Sequence, residues 1–303
     1  MMVPAKMSEG GLLVFGARGM LGQSLLAEAK SRGLTVAGAA RSGSDFSCDL
    51  TDAGAVSALM AQLRPAAVIN AAALTDLAAC EADPQAAHAV NALAVRHLAD
   101  ACRGQGSRLV QISTDHYFSG DGFALHDEHA PVQLLNEYAR SKFAGEQFAQ
   151  DLPDALILRT NITGFRGWPG KPTFCEWVFQ VVGDDSEVTL FEDFITSTMS
   201  AGRMAAATLT LLDKKVGGLL NVASRQPASK KQFVEALARR MGRPLSRCHA
   251  GSVQGLKPPR AESLGLDVSA AEAILGYRLP SLDEVIDSLV SEHQARCGTN
   301  LRF

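Results

Sequence analysis

Apolar residues fall into two alternating kinds of run along the first half of the chain. Short, mostly apolar stretches at residues 12–15, 34–40, 66–69, 109–112 and 155–159 read as buried strands. Between them, apolar residues recur three and four positions apart, the spacing of an amphipathic helix. Leu21, Leu25 and Ala29 form the first such stripe, and Val56, Leu59, Met60 and Leu63 the second. The second helix is capped by the run from Asp49 to Asp52 and stopped by Pro65. A longer helix is expected over residues 84–103, with Val90, Ala94, His97 and Ala101 on one stripe. His97 there reads as a packing residue, and Asn91 as a polar residue with a buried bridging role. The repeated strand–helix rhythm predicts an α/β fold with a doubly wound, Rossmann-type parallel sheet.

Beyond Thr160 the rhythm breaks. Residues 161–170 look irregular and 194–200 polar, while helices are expected at 174–182, 201–212, 230–241, 269–275 and 282–294 and a late strand at 218–222. The expected division is a loose tail at 1–10 and a dinucleotide-binding domain at 11–160. Segments 197–224 and 282–294 would return to that domain. Segments 161–196 and 225–281 would form a small substrate lobe over the carboxyl edge of the sheet.

The turn after the first strand is Gly16-Ala17-Arg18-Gly19-Met20-Leu21-Gly22. A strand that enters a helix through such a turn aims backbone N–H groups at an anion. Gly16 makes the turn, Gly19 lets a pyrophosphate approach the backbone, and Gly22 lets helix and strand pack closely. Where NAD-preferring versions end their second strand on an acid, this chain has Ala40 followed by Arg41 and Ser42. Arg41, with Arg18, suits the 2′-phosphate of NADP, which favours NADP over NAD. Asn70-Ala71-Ala72-Ala73 leaves the end of another strand with side chains small enough for a flat ligand to lie against the backbone.

Ser113-Thr114-Asp115 emerges at a further strand end, and Tyr138 and Lys142 sit one helical turn apart on the next helix. An ammonium beside a phenol favours the phenolate and draws the tyrosine pKa toward the working range. With Thr114 holding a substrate oxygen, this is a proton-transfer set for reducing a carbonyl or oxidising an alcohol beside a nicotinamide.

These residues resemble the extended short-chain dehydrogenase/reductases, and among them the dTDP-4-dehydrorhamnose reductase family. The likeness runs from Leu12 to about Leu289 and rests on the glycine turn, Cys48-Asp49-Leu50-Thr51-Asp52, Val68-Ile69-Asn70-Ala71-Ala72-Ala73 and Val90-Asn91-Ala92-Leu93-Ala94. It continues through Ile112-Ser113-Thr114-Asp115, Tyr138-Ala139-Arg140-Ser141-Lys142, Ala144-Gly145-Glu146 and Leu158-Arg159-Thr160. The resemblance implies NAD(P)H-dependent reduction of the 4-keto group of a nucleotide-linked 6-deoxysugar. It implies Tyr138 as proton donor, Lys142 on the nicotinamide ribose and Thr114 on the carbonyl. Asp49 and Leu50 would bracket the adenine, and Ala71, Ala72 and Ala73 would line the cofactor floor.

The departures fall on the substrate side. His116-Tyr117-Phe118-Ser119-Gly120 stands where the family has Y-V-F-D-G, and Asn161-Ile162-Thr163-Gly164 where an aromatic-bearing segment is common. Asn161 is similar to the asparagine that related epimerases and dehydratases set against a diphosphate. Arg260 is a displaced match for a diphosphate contact. With Asp115, Trp168, Arg166 and Lys171 these residues suit a nucleotide diphosphate, whose charge they would pair and whose base they could stack.

Two alternatives stand beside the reductase. A nucleotide-sugar epimerase or dehydratase would recycle its cofactor, but a dehydratase needs a further acid besides Asp115. A non-catalytic NADP-binding regulatory subunit, as the family fold provides for methionine adenosyltransferase, would not need Thr114, Tyr138 and Lys142 together.

Composition narrows the remainder. The 303 residues carry a net charge of −3 and are 47% hydrophobic, which excludes the basic surface that nucleic acid requires. No apolar run approaches the roughly 20 residues of a membrane span. The first ten residues lack the apolar core of a signal peptide. Six scattered cysteines without a C-x-x-C pair read as reduced thiols in the cytosol. A homodimer is compatible with the sequence, and no metal is expected. His126-Asp127-Glu128-His129 reads as a solvated polar loop rather than a metal site.

Overall fold

The computed structural model describes residues 10–167 and 170–298. The expected tail, apart from Gly10, and the candidate Trp168 lie outside the described residues. The chain divides into two compact units. Among the described residues, the first comprises 10–114, 134–159 and 205–220, and the second 115–133, 160–167, 170–204 and 221–298.

The first unit is built on a seven-stranded sheet. Its strands are β1 (Leu12–Phe15), β2 (Val36–Ala40), β3 (Phe46–Ser47), β4 (Ala67–Asn70), β5 (Arg108–Ile112), β6 (Leu156–Arg159) and β7 (Gly218–Asn221). They lie in the order β7-β6-β5-β4-β1-β2-β3. The neighbours from β3 through β6 all run parallel. All four residues of β1, β4 and β6 are buried. Burial along the whole length of a strand fits a sheet covered on both faces. Strand order reverses between β1 and β4, so their carboxyl ends form the switch point where open α/β sheets bind ligands. The expected doubly wound sheet is therefore present.

Local chemistry sets the helix ends. Asp52 accepts the Ala55 N–H at 3.0 Å to start the helix Ala53–Leu63, and Asn136 caps Glu137–Gln150 through the Ala139 N–H at 2.9 Å. The expected long helix is Pro84–His88 and Ala94–Gln105 joined by one wide π turn, Ala89–Leu93, which carries Asn91. His97 donates through Nδ1 to the Leu50 carbonyl at 3.0 Å, a packing role.

In the second unit three helices, Phe174–Asp184, Lys230–Met241 and Leu282–Gly298, enclose a core that includes Val178, Phe179, Phe233, Leu237, Ile286 and Leu289. The expected return of 282–294 to the nucleotide-binding domain is corrected by this packing. Its apolar stripe, Val285, Ile286, Leu289 and Val290, is buried among residues of the second unit. Segment 115–133 belongs to the second unit too, and only 205–220 of segment 197–224 belongs to the first. Arg32 anchors the helix Ala201–Asp213 to the first unit through the Ala206 carbonyl at 2.9 Å and Thr210.

Residues expected to be irregular or simply polar form short strands. Asn161–Thr163 pairs in parallel with Thr198–Ser200, and Ile195–Thr196 lies between Ala228–Ser229 and Ser263–Leu264. The loop histidine His126 is held by the Gly265 carbonyl at 2.8 Å and Asp121 at 3.1 Å, with its ring stacked on Phe118. Glu128 accepts the Asn221 N–H at 2.8 Å, so this loop is pinned rather than solvated throughout. The six cysteines are free thiols.

Candidate active site

The glycine turn is built as tightly as its spacing implies. Gly16 has φ +74°, and a Cβ on it would meet the Ala72 nitrogen at 2.6 Å. The backbone of Ala71 and Ala72 therefore passes directly against the turn. A Cβ on Gly22 would sit 2.1 Å from the Gly16 carbonyl oxygen, so only glycine lets the helix Met20–Ser31 start this close to β1. Gly19 caps that helix with no side-chain hydrogen bond. Helix N–H groups at a bare glycine cap, at the switch point of the sheet, fit the pyrophosphate of a dinucleotide.

Arg18 reaches the loop after β2, where its guanidinium lies beside Gly43. Arg41 opens that same loop, and its charge acts on Asp49. The Asp49 carboxyl is held below its usual range, first by the Thr51 N–H, then by the Thr51 hydroxyl, and least by Arg41. Arg18 reaches, and Arg41 opens, the loop beyond the end of β2, where a 2′-phosphate would call for planar donors.

A buried polar chain runs behind the switch point. The Ala72 N–H donates to Asn70 Oδ1 at 3.1 Å, and Asn70 Nδ2 donates to Gln111 Oε1 at 2.8 Å. Gln111 Nε2 in turn donates to the Ile112 carbonyl at 2.7 Å. That carbonyl also accepts from Lys142 Nζ at 2.7 Å. Lys142 is buried, and desolvation pulls its pKa down to about 8 against the opposing pull of Glu146. Its ammonium is thereby fixed at the end of β5, two residues before the buried Thr114. Tyr138, one turn earlier on the same helix face, is also buried and packs with Cys80, Ala87, Leu74 and Leu77. Asn91 ties the helix to the loop after β4. Its Oδ1 accepts the Leu74 N–H at 2.8 Å, and its Nδ2 donates to the Leu74 carbonyl and to Ser141 Oγ.

Glu146 carries a role that the sequence alone did not reveal. It is fully buried and accepts from Ser113 Oγ and from Arg159 through Nε at 3.1 Å and Nη2 at 2.8 Å. It fixes the residue before Thr114 and sits one turn beyond Lys142. Phenol, ammonium and hydroxyl in this setting can deliver a proton to a carbonyl oxygen.

In the second unit, Asp115 Oδ2 accepts from Asn161 Nδ2 at 2.9 Å. Asp115 acts on Lys230, and Lys230 and Arg260 both act on the neighbouring His116. The pKa of His116 falls to about 4, first through burial and then through the charges of Lys230 and Arg260. Lys230 drops to about 8 through desolvation, opposed by Asp115. His116 shows in the sequence only as a departure from a motif, and Lys230 not at all, since a lone lysine carries no spacing signal.

The family model for the RmlD substrate binding domain matches residues 10–295. The chain belongs to that family. A probable low-salt glycan biosynthesis reductase from Haloferax volcanii is 35% identical over 290 residues, 91% of this chain and 96% of that protein. A dTDP-4-dehydrorhamnose reductase from Mycolicibacterium smegmatis is 33% identical over 225 residues, 72% of this chain and 65% of its own length. The crystal structure of a dTDP-4-dehydrorhamnose reductase from Bacillus anthracis in complex with NADP matches with a TM-score of 0.82 at 23% identity. It covers 94% of this chain and 99% of the other, and establishes the shared fold. This RmlD-family chain is therefore an oxidoreductase of the dTDP-4-dehydrorhamnose reductase-like group.

Proposed function

We propose that this RmlD-family chain uses NADPH to reduce the 4-keto group of a nucleotide-linked 6-deoxysugar. The observation that carries the reading is the buried Lys142 ammonium on the Ile112 carbonyl, one turn from Tyr138 and at the end of the strand that delivers Thr114. The chemistry a nicotinamide supplies when bound is a hydride for the carbonyl carbon. Tyr138 gives its phenolic proton to the carbonyl oxygen as negative charge builds there. Lys142 stabilises the phenolate left behind, and the Thr114 hydroxyl orients the oxygen.

Gly16, Gly19, Met20, Leu21 and Gly22 would receive the pyrophosphate, and Arg18 and Arg41 the 2′-phosphate that distinguishes NADPH from NADH. Asp49 and Leu50 would flank the adenine. Ala71, Ala72, Ala73 and Asn91 would support the nicotinamide side, and Asp115, Asn161 and Arg260 the sugar nucleotide. NADP in the Bacillus anthracis complex and the substrate named for the Mycolicibacterium relative support this assignment.

The test is to mix the purified protein with NADPH or NADH and a panel of dTDP- and UDP-linked 4-keto-6-deoxysugars. NADPH absorbance and product mass are then followed. NADPH should be consumed one for one with ketone lost, and faster than NADH. A product isomerised without net NADPH consumption would replace the reductase reading with an epimerase.

A further inference from the structure

Five polar side chains of the second unit form one unbroken line from Lys230 to Asp115. Lys230 Nζ donates to Thr196 Oγ1 at 3.4 Å, and the Thr196 and Thr198 hydroxyls are 2.7 Å apart. Thr198 Oγ1 donates to Asn161 Oδ1 at 2.9 Å, and Asn161 Nδ2 donates to Asp115 Oδ2 at 2.9 Å. Asp115, Thr196 and Thr198 are buried.

Strand register builds this line. Thr198 lies opposite Asn161 in one parallel pair, and Thr196 opposite Ala228 in the neighbouring antiparallel pair. The Lys230 N–H then bonds to the Phe194 carbonyl at 3.2 Å, which starts the next helix beside Thr196. Lys230 Nζ also lies 4.5 Å from the Phe174 ring centre and 5.3 Å from that of Phe194, both cation–π distances.

Donor and acceptor chemistry gives the line one direction. A carboxylate only accepts, so Asn161 must turn its amide NH2 to Asp115 and its oxygen to Thr198. Thr198 has a single hydroxyl proton, which that oxygen takes, so Thr196 must donate to Thr198. Thr196 is then left to accept, and an ammonium offers nothing but donors. Every hydroxyl proton is committed, with the positive charge at one end and the negative charge at the other. Replacing Lys230 with an apolar residue removes the donor that the buried Thr196 oxygen accepts, and with it the cationic end of the line.

We infer that Lys230 is a positioning residue that acts through Thr196, Thr198 and Asn161 to hold Asp115 and the Asn161 amide in the orientation that receives the substrate sugar. The inference rests on the proposed reductase reading for its substrate. The line itself belongs to the free protein. Its ordering would make the substrate-facing groups rigid before binding, so its loss should appear in KM rather than in cofactor affinity.

Three variants test this: Lys230→Met, Thr198→Val and the double substitution, with Lys230→Arg as the conservative control. With a dTDP-4-keto-6-deoxysugar and saturating NADPH, each single variant should raise KM roughly tenfold or more, the scale of a lost charge-assisted hydrogen bond. NADPH affinity should stay within about twofold, since the proposed cofactor residues lie in the other unit. The double variant should be no worse than the worse single one, because both cut the same line. Lys230→Arg should recover part of the loss.

Additive KM effects would overturn the inference in favour of direct contact between Lys230 and substrate, and an unchanged KM in Thr198→Val would overturn it outright. A denaturation cycle on the same variants needs no substrate. Non-additive losses of stability there support the line even if the protein turns over no keto-sugar nucleotide, an outcome that would sink the reductase reading alone. Additive losses would remove the line whatever the reaction.

Discussion

At the scale of single residues, the chemistry turns on two side chains one helical turn apart. Tyr138→Phe deletes the proposed acid and leaves the ring packing against Cys80 and Leu74 intact. Turnover should fall about a hundredfold to ten-thousandfold, the usual worth of a positioned general acid. NADPH affinity should barely change, because no proposed cofactor contact is lost. A Tyr138→Phe enzyme that kept half the parental rate would remove the proton-donor assignment. Lys142 adds a pH signature. Burial lowers its pKa to about 8, so the ammonium is present below that pH and lost above it. The log of kcat/KM, which reports groups of the free enzyme, should therefore bend downward near pH 8. A profile flat to about pH 10, the range of an unperturbed lysine, would contradict a required ammonium. His116 was visible to sequence reading only as a departure from a motif, and Lys230 not at all. Their meaning depends on neighbours such as Asp115 and Thr196 that are distant along the chain.

At the scale of elements, much of the first 160 residues was legible because strands such as Leu12–Phe15 are apolar runs and helices such as Ala53–Leu63 carry a stripe, whereas the two-residue β3 and the short helix Leu77–Ala82 give no such signal. The wide turn at Ala89–Leu93 was hidden inside a helical pattern that it does not interrupt. The short strands Asn161–Thr163, Val188–Phe191 and Cys248–Gly251 were missed for a different reason. Runs of three or four residues have almost no period, and their pairing partners lie far away in sequence. The pattern of the last helix does not say which unit it joins, because an apolar stripe states that a face is buried, but not against what. Glu146 belongs to this scale too. It joins the helix Glu137–Gln150 to β6 through Arg159, with both side chains almost wholly buried. A buried pair broken on one side leaves an uncompensated charge, so Glu146→Leu should lower stability by about 3–5 kcal/mol. Pairing it with Arg159→Met should restore much of that loss in urea unfolding. A double variant as unstable as Glu146→Leu would show that the Ser113 contact, rather than the ion pair, carries the effect.

At the scale of the whole molecule, the chain passes between its two units five times, at 114/115, 133/134, 159/160, 204/205 and 220/221, so neither can be cut out as one continuous piece. No described helix is long and apolar enough to cross a membrane. The units differ in what they offer a ligand. The first presents a bare helix start and two arginines, suited to a dinucleotide. The second sets Lys230 and Arg260 beside His116, with Asp115 acting on Lys230, and Arg260 is suited to a nucleoside diphosphate. Family membership and a cofactor site do not by themselves prove turnover, because the same fold can serve a partner protein. A regulatory protein needs the first set of groups but has no use for the second. Thermal unfolding separates these cases without any assumption about the sugar. With NADPH present, dTDP or UDP at about 100 times its dissociation constant should add roughly 2.7 kcal/mol of apparent stability and raise the melting temperature. Arg260→Ala should blunt the nucleotide response and leave the NADPH response in place. If NADPH alone stabilises the protein and neither nucleotide adds to it, the sugar-nucleotide reading fails and a role beside another protein takes its place.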